Sequence, residues 1–165
     1  MQAMQDQGNF GAVPFLIREA MIDDMPACAA ILNGWIDETQ WMPHVHDADD
    51  VVRHYRESVF AHCGVLVAVQ DGAPLAFCAL NDGHIDALYA GPAGRGQGIG
   101  KALLNRAKTL SPNGLSLWTF VANGRAQQFY AREGFEEVRR TDGDNEERLP
   151  DILFQWQPDG RRDDA

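Results

Sequence analysis

The sequence has few basic residues, few cysteines and no long apolar run, and each shortage excludes a class of protein. Its 14 Lys and Arg stand against 24 Asp and Glu, which gives a formal net charge of −10 over 165 residues. Because nucleic-acid binding depends mainly on Lys and Arg that neutralise phosphates, we do not expect a nucleic-acid partner. No apolar stretch approaches the roughly 20 residues that cross a bilayer, so no membrane partner is expected either.

The three cysteines, Cys28, Cys63 and Cys78, form no CxxC pair and lie in mostly apolar surroundings. This pattern favours reduced thiols and a cytoplasmic protein. Residues 1–13 lack the basic and apolar regions of a signal peptide. We therefore interpret 1–13 and 158–165 as loose tails on either side of one domain at 14–157, a size that is typical of a single domain.

Strand and helix patterns alternate along the chain and predict an α/β fold in the order βααβββαβαββ. The strands are expected at 15–19, 64–70, 73–81, 84–90, 115–121, 135–141 and 152–157, and the helices at 25–36, 48–61, 99–110 and 124–133. Asp71-Gly72 and Asp82-Gly83 are hairpin-turn signals. Asp23 or Asp24, Asp47 and Asn123 are candidate helix caps. The fifth strand is apolar on both faces, which predicts a central strand parallel to the fourth.

The glycine-rich segment before the third helix predicts a phosphate-binding loop. Four glycines lie between Gly91 and Gly98, where they let the main chain approach a ligand, and the helix that follows offers unpaired N–H groups. Arg95 and Lys101 add positive charge. The P-loop motif fails, because it needs glycine at position 95 and Ser or Thr at 102. The dinucleotide motif GxGxxG fails as well, because it needs glycine at position 99 or 101.

What does match is R-x-x-G-x-G at 95–100, which resembles the pyrophosphate motif of the GCN5-related N-acetyltransferase (GNAT) superfamily. The preceding strand, 87–92, is similar to the family's fourth strand. The segment Asn123–Phe135 resembles its second signature, an Asn cap and a Phe-Tyr helix followed by Gly-Phe. The order of elements over 15–157 also agrees with the family. The resemblance implies a GNAT-like fold with a mixed central sheet of about seven strands flanked by helices.

In this family the fourth and fifth strands splay apart and hold acetyl-CoA, so the resemblance implies acetyl-CoA as cosubstrate and no metal. It implies main-chain contacts to the pantetheine arm from Leu88, Tyr89 and Ala90, and pyrophosphate contacts from Arg95, Gly96, Gln97, Gly98, Ile99, Gly100 and Lys101. It further implies contacts to the coenzyme from Asn123 and Phe129. Tyr130 occupies the position that in many members protonates the departing thiolate, although it is also a plausible core aromatic residue.

The general base stays open at this stage. The fifth strand carries Ser116, Trp118 and Phe120 instead of the glutamate found in some relatives. Asp86 is the remaining carboxylate on the fourth strand, and Glu146 and Glu147 in the acidic loop at 142–151 are the alternatives. No Cys or Ser lies in a nucleophile motif, which predicts direct transfer without an acyl-enzyme.

The amine acceptor is expected to be cationic, since the acidic loop borders the acceptor site in this family. Candidate acceptor residues are Trp41, His44, His46 and Glu146, with a surface histidine or a solvated loop as the simpler alternative. Two histidines without a third recognisable ligand do not predict a metal site.

The sequence is thus interpreted as an acetyl-CoA-dependent N-acetyltransferase acting on a small-molecule or peptide amine. The alternative function is a non-catalytic acyl-CoA-binding or sensing module. A generic partner-binding domain is the remote third hypothesis. The family resemblance also allows the protein to be a homodimer.

Overall fold

Seven strands and four main helices alternate along residues 14–158, the part of the chain that the computed structural model describes. The strands are β1 Leu16–Glu19, β2 Gly64–Gln70, β3 Ala73–Asn81, β4 His84–Ala90, β5 Leu115–Phe120, β6 Glu136–Thr141 and β7 Asp151–Trp156. The helices are α1 Met25–Glu38, α2 Ala48–His54, α3 Ile99–Thr109 and α4 Gly124–Arg132. The predicted order of elements is confirmed. The tails assigned to 1–13 and 158–165 lie outside the described residues, apart from Pro158.

The strands form a single sheet in the order β1-β2-β3-β4-β5-β7-β6. All neighbours are antiparallel except β4 and β5, which run parallel to each other. A parallel pair needs a crossover connection, and α3 supplies it. The mixed sheet and the central, parallel fifth strand are therefore confirmed.

Two hydrophobic cores cover the two faces of the sheet. On one face, α3 and α4 bury side chains such as Leu103, Leu104 and Tyr130. On the other face, α1 and α2 bury side chains such as Met25 and Val51. After α2 the helix continues through a wider, π-helical turn at Tyr55–Val59 to a short helical segment at Phe60–His62. The sheet is thus sandwiched between helices, as layered α/β domains require.

The short-range signals are confirmed at most positions. Both hairpin turns have positive φ at their Asp and Gly, with 52° and 79° at Asp71 and Gly72, which matches the twist of the flanking strands. Asp47 caps α2 by accepting the N–H of Asp50 at 2.8 Å. Asn123 caps α4 by accepting an N–H at 3.1 Å.

The expected Asp cap of α1 is wrong. The Asp24 carboxylate accepts hydrogen bonds from the Arg18 guanidinium at 2.7 and 3.2 Å and from the Met21 N–H at 2.7 Å, and it caps no N–H of α1. Hydrogen bonds between two charged groups are stronger than a neutral capping bond, so the nearly buried carboxylate turns towards β1.

A bulge in β4 decides which way its side chains point. Ile85 and Ala87 lie opposite consecutive residues of β3, so Asp86 has no residue directly opposite it. A bulge shifts the alternation of side chains by one residue. Ile85 therefore packs in the core beneath α3 and α4, whereas Ala87 packs in the core beneath α1 and α2. Beyond the bulge, Leu88 packs against the first core and Tyr89 against the second.

Candidate active site

The two parallel strands at the centre of the sheet separate and leave a cleft. β4 and β5 pair only at His84 with Ser116 and at Ile85 with Leu117. Beyond these two pairs β4 continues along β3, and β5 continues along β7. The expected splay is confirmed. The main-chain polar groups on the inner edges of both strands are thereby left available to a ligand.

The loop that follows β4 presents a run of unpaired N–H groups. The first helical hydrogen bond of α3 runs from the Ala102 N–H to the Gly98 carbonyl at 3.0 Å. The six consecutive N–H groups of residues 96–101 donate to no group within residues 14–158. Positive φ values of 76° at Gly96 and 78° at Gly98 bend this segment, a conformation that glycine adopts without strain. These six donors form what we call the amide cradle.

A cavity of about 690 Å³ lies over the amide cradle, between α3 and α4. Three basic residues line it without an ion-pair partner among the described residues, namely Lys101, Arg125 and Arg132. The helix N-terminus adds a partial positive charge. In a chain with a net charge of −10, these cations and free donors outnumber the single carboxylate of the lining, Glu133, an arrangement that suits an anion.

Arg95 is held differently from the other basic residues at the amide cradle. Its guanidinium lies 2.6 Å from the Glu38 carboxylate and donates to the Ala90 carbonyl at 2.9 Å. The Arg95 side chain therefore braces the end of β4 against α1. Arg95 nevertheless lines the cavity, together with Gly94 and Gly96.

The remaining coenzyme candidates lie around the same cavity. Ile99, Gly100 and Phe129 line it together with residues 88–90. The Phe129 ring lies 3.9 Å from the point where a Cβ on Gly100 would stand, so α3 and α4 meet closely there. The Gln97 side-chain amide donates to the Ala93 carbonyl at 2.8 Å, and Gln97 is not among the residues that line the cavity.

A narrow cleft of about 80 Å³ joins this cavity to the opposite side of the sheet. Its lining comes from β4, β5 and the α4 segment. It includes Asp86 and Tyr89 of β4, Trp118 and Phe120 of β5, Asn123 at the start of the α4 segment and Tyr130 within it. The cleft adjoins the cavity over the amide cradle, with which it shares Leu88, Tyr89, Ala126 and Tyr130 as lining residues.

Tyr130 lies where the two spaces meet and is buried among aromatic rings. Its ring packs against Phe129, Phe135 and Phe154, with centroids 5.1, 5.4 and 6.3 Å away. Burial raises the pKa of the Tyr130 phenol far above its ordinary value, and the nearby Cys78 and Tyr89 raise it further. The hydroxyl is therefore protonated at neutral pH.

A second cavity of about 690 Å³ lies on the α1–α2 side of the sheet, and we call it the acceptor cavity. It joins the narrow cleft through Asp86, Tyr89, Trp118 and Phe120. Asp86 therefore faces both spaces. The Cys63 thiol donates to its carboxylate at 3.4 Å, and the His84 imidazole lies 3.9 Å away.

The acidic loop between β6 and β7 is held together by side-chain hydrogen bonds and forms one wall of the acceptor cavity. The Asn145 amide donates to the Leu149 carbonyl at 2.7 Å and to the Asp151 carboxylate at 3.0 Å, and Thr141 also bonds this carboxylate. These bonds tie both ends of the loop together. Asp144, Glu146 and Glu147 then line the cavity.

The structure brings some of the expected acceptor residues to the cavity and leaves others outside. His46 lines the cavity and bonds Glu146 at 2.9 Å, which joins the loop after α1 to the acidic loop. His44 bonds Asp37 at 2.9 Å on the exposed surface, outside the cavity lining. The Trp41 ring packs edge-on against Phe120 at 5.8 Å and against Trp35 at 5.7 Å, so it supports the wall from behind.

Several lining residues were not predicted from the sequence. Arg125 and Arg132 are seven residues apart on α4 and therefore lie on the same face of the helix. This spacing in the sequence could have predicted that they line the same cavity. Asp50 and Tyr55 line the acceptor cavity from the second helical segment, where their spacing indicated only capping and core packing.

Among residues 14–158, no three His, Cys, Asp or Glu side chains are grouped so that they could hold a metal ion. Over the same residues, no helix has the length and apolar character needed to cross a membrane.

Comparison with known proteins adds a family and several relatives. Residues 61–137 match the family model described as the acetyltransferase (GNAT) domain. The peptidyl-lysine N-acetyltransferase YjaB of Salmonella typhimurium is 42% identical over 80 residues, which are 48% of this chain and 54% of that relative. The match thus spans about half the length of the relative.

Solved structures agree with the observed architecture. The solution structure of apo YjaB from Escherichia coli has a TM-score of 0.71 at 25% identity, and the match covers 86% of this chain and 97% of that chain. The structure of yncA from Salmonella typhimurium, solved with its cofactor acetyl-CoA, has a TM-score of 0.67 at 20% identity, with 88% and 98% of the two chains covered. At that identity the likeness to yncA shows the fold alone.

Proposed function

We propose that this chain, which matches the acetyltransferase (GNAT) domain model over residues 61–137 and shares the fold of apo YjaB, is an acetyl-CoA-dependent N-acetyltransferase. In this proposal the acetyl group passes directly from the thioester to the primary amine of a cationic acceptor. The observation that carries the proposal is the amide cradle, six consecutive N–H groups of residues 96–101 without an acceptor among the described residues. Unpaired main-chain donors at a helix N-terminus are suited to a pyrophosphate.

The charges on the two sides of the sheet support the same assignment. The cavity over the amide cradle is lined by Lys101, Arg125 and Arg132, which suits an anionic coenzyme. The acceptor cavity is lined by carboxylates and by no Lys or Arg among the described residues, which suits a cationic amine. The narrow cleft joins the two cavities, so the two reactants would meet at the splay of β4 and β5.

Acetyl-CoA supplies an activated acyl group, and the protein supplies positions and hydrogen bonds. Main-chain donors along the open edge of β4 would hold the pantetheine arm and polarise the thioester carbonyl. Tyr130 would donate a hydrogen bond to the departing sulfur. Because its hydroxyl is protonated before transfer, Tyr130 can serve as the acid that the family resemblance implies.

Asp86 is better placed to act as the base than Glu146 or Glu147. It lies at the junction of the acceptor cavity and the narrow cleft, whereas Glu147 lines only the acceptor cavity. The amine must lose a proton to become a nucleophile, and a base works within hydrogen-bond reach or through one water. We propose that Asp86 accepts this proton and that Glu147 binds the acceptor.

The acceptor class is proposed from the relatives and from the lining of the cavity. YjaB is a peptidyl-lysine N-acetyltransferase, and a lysine side chain is a cationic primary amine of the kind that the carboxylates would attract. A cytoplasmic location follows the same proposal, because all three cysteines are free thiols, as is usual in a reducing compartment.

Release of CoA thiol in the presence of acetyl-CoA and a panel of amines tests the proposed function. Turnover that requires both substrates supports the transferase. A rise in melting temperature with acetyl-CoA, without turnover of any amine, would favour the non-catalytic acyl-CoA-binding module. Neither a thermal shift nor turnover would favour a generic partner-binding domain.

A further inference from the structure

The proposed base, Asp86, has a different neighbour at each oxygen of its carboxylate. The Cys63 thiol donates to Oδ2 at 3.4 Å, and Nε2 of the His84 imidazole lies 3.9 Å from Oδ1. His84 and Asp86 are two residues apart on β4, and this distance shows that their side chains share a face of the sheet. No Lys or Arg of residues 14–158 lies within ion-pair distance of Asp86. His84 is therefore the group in that range that can become positively charged beside the carboxylate.

Only one of these two neighbours is suited to take up a proton. Burial, followed by the hydrogen bond to Asp86, raises the pKa of the Cys63 thiol to about 11. The thiol is therefore protonated at neutral pH and donates to the carboxylate. A neutral imidazole has a ring nitrogen with a free lone pair, and an imidazole ordinarily binds a proton more tightly than a carboxylate does. A proton on Asp86 would therefore pass to His84 and not to Cys63.

The other ring nitrogen of His84 is held by the neighbouring strand. Nδ1 lies 2.8 Å from the Ser116 hydroxyl, and the two residues form one of the two pairs that β4 and β5 make before they separate. When Nδ1 carries the proton and donates it to Ser116, the lone pair of Nε2 faces Asp86. This tautomer is the one that accepts a proton from Asp86.

Ser116 also connects the imidazole to a third cavity. This cavity, of about 430 Å³, is lined by Ser116, by the turn between β3 and β4 and by the segment between α3 and β5. It shares no lining residue with the acceptor cavity or with the narrow cleft. The His84 side chain is also one-third exposed, at 34% of its surface. The path through His84 therefore leads to water outside the space that the acceptor occupies.

We propose that His84 acts through Asp86 as a positioning residue that takes up the proton lost by the amine, with Ser116 orienting its ring. This inference rests on the proposed function and adds two residues to it. The amine proton moves to Asp86 and then to Nε2 of His84. The nitrogen lone pair forms the amide bond, and the electrons of the carbon–sulfur bond leave with the sulfur. The imidazolium pairs with the Asp86 carboxylate until its Nδ1 proton passes to the Ser116 hydroxyl, which releases its own proton to water.

His84→Asn separates this role from a structural one. An asparagine amide can keep the hydrogen bond to Ser116 but has no nitrogen that accepts a proton. For a lysine-containing peptide, or the amine of the panel that the wild type acetylates fastest, we expect kcat to fall by about 10–100-fold. Kd for acetyl-CoA and the melting temperature should stay as in the wild type. Wild-type kcat in His84→Asn would overturn the inference and leave the proposed function standing.

Two further variants complete the test of the residues assigned. His62→Asn is the matched control, because the His62 ring bonds the Ser58 carbonyl of the preceding helical turn at 2.9 Å, and it should leave kcat unchanged. An equal loss of kcat in both histidine variants would overturn the inference. Ser116→Ala frees the imidazole and should lower kcat by a smaller factor than His84→Asn. Unchanged kcat in Ser116→Ala would remove Ser116 from the proton path.

Chemical rescue of His84→Ala identifies the property of the side chain that matters. Added imidazole should restore a large part of the lost kcat without changing that of the wild type. Pyrazole, a ring of the same size that is a much weaker base, should not. Equal recovery with both compounds, or recovery with neither in a variant that keeps the wild-type melting temperature, would overturn the inference. Turnover of no amine by the wild type would refute the proposed function and the inference with it.

Discussion

Replacing Gly96 by alanine adds a single methyl group to the amide cradle. Gly96 has φ of +76°, and a Cβ there would meet no heavy atom within 4 Å. Gly72, in the turn between β2 and β3, has φ of +79° and is equally open. Alanine is strained in this conformation by roughly 1–2 kcal/mol, so Gly72→Ala is a matched control for the cost of backbone strain.

The expected effect on coenzyme affinity follows from the hydrogen bonds that the methyl group would displace. A hydrogen bond to a charged group contributes about 1.5–3 kcal/mol. If the methyl group keeps a phosphate from one cradle N–H, the Kd for acetyl-CoA should rise by about one to two orders of magnitude. Gly72→Ala should bind acetyl-CoA as the wild type does, because the turn lies outside the cavity over the amide cradle.

Titration calorimetry with acetyl-CoA and thermal unfolding of both variants provide the measurement. Both melting temperatures should fall by a similar amount, about 2–4 °C per kcal/mol for a chain of this size. Only Gly96→Ala should lose affinity. Wild-type affinity in Gly96→Ala, or an equal loss in both variants, would refute the reasoning that residues 96–101 bind the pyrophosphate.

Three further predictions concern single side chains. Tyr130→Phe should lower kcat by about 10–100-fold with little change in Kd for acetyl-CoA, because one hydrogen bond to the departing sulfur is lost; unaltered kcat in steady-state kinetics would exclude that role. Asn123→Ala should reduce the free energy of unfolding by about 1 kcal/mol, because the Asn123 side chain caps α4. Urea denaturation measures this change, and an unchanged free energy of unfolding would contradict the cap. The hydrogen bond from Arg18 lowers the pKa of the Asp24 carboxyl below its ordinary 3.8, so its stabilisation is present at neutral pH and is lost as the pH falls through the lowered pKa. Urea titrations should therefore show a smaller acid-induced loss of stability in Asp24→Asn than in the wild type, and equal losses would contradict the pairing.

Local signals predicted the features that depend on neighbouring residues. The Asp-Gly turns need positive φ at both positions, and Asp-Gly supplies this more readily than other dipeptides. The glycines between 91 and 98 likewise require only their own backbone freedom. Element order and the splay of β4 and β5 also agreed with the sequence, because the family resemblance extends over all of these elements.

Features that depend on distant contacts could not be predicted. The sequence around Asp86 shows no sign of the bulge, which arises from the register between β3 and β4. The bond between Arg95 and Glu38 joins α1 to the loop after β4, and no spacing in the sequence relates the two residues. The bond between His46 and Glu146 crosses 100 residues of chain. Each of these features restricts the orientation of a predicted site residue, namely Asp86, Arg95, His46 or Glu146.

We propose that main-chain N–H groups at the start of α3 bind the diphosphate of acetyl-CoA. Amide chemical shifts of the ¹⁵N-labelled protein, followed during titration with acetyl-CoA, test this claim at each residue. The account predicts that the amide resonances of Gly96, Gly98 and Gly100 shift strongly and saturate together, while that of Gly72 stays in place. Saturating coenzyme that left these three resonances unmoved would contradict it.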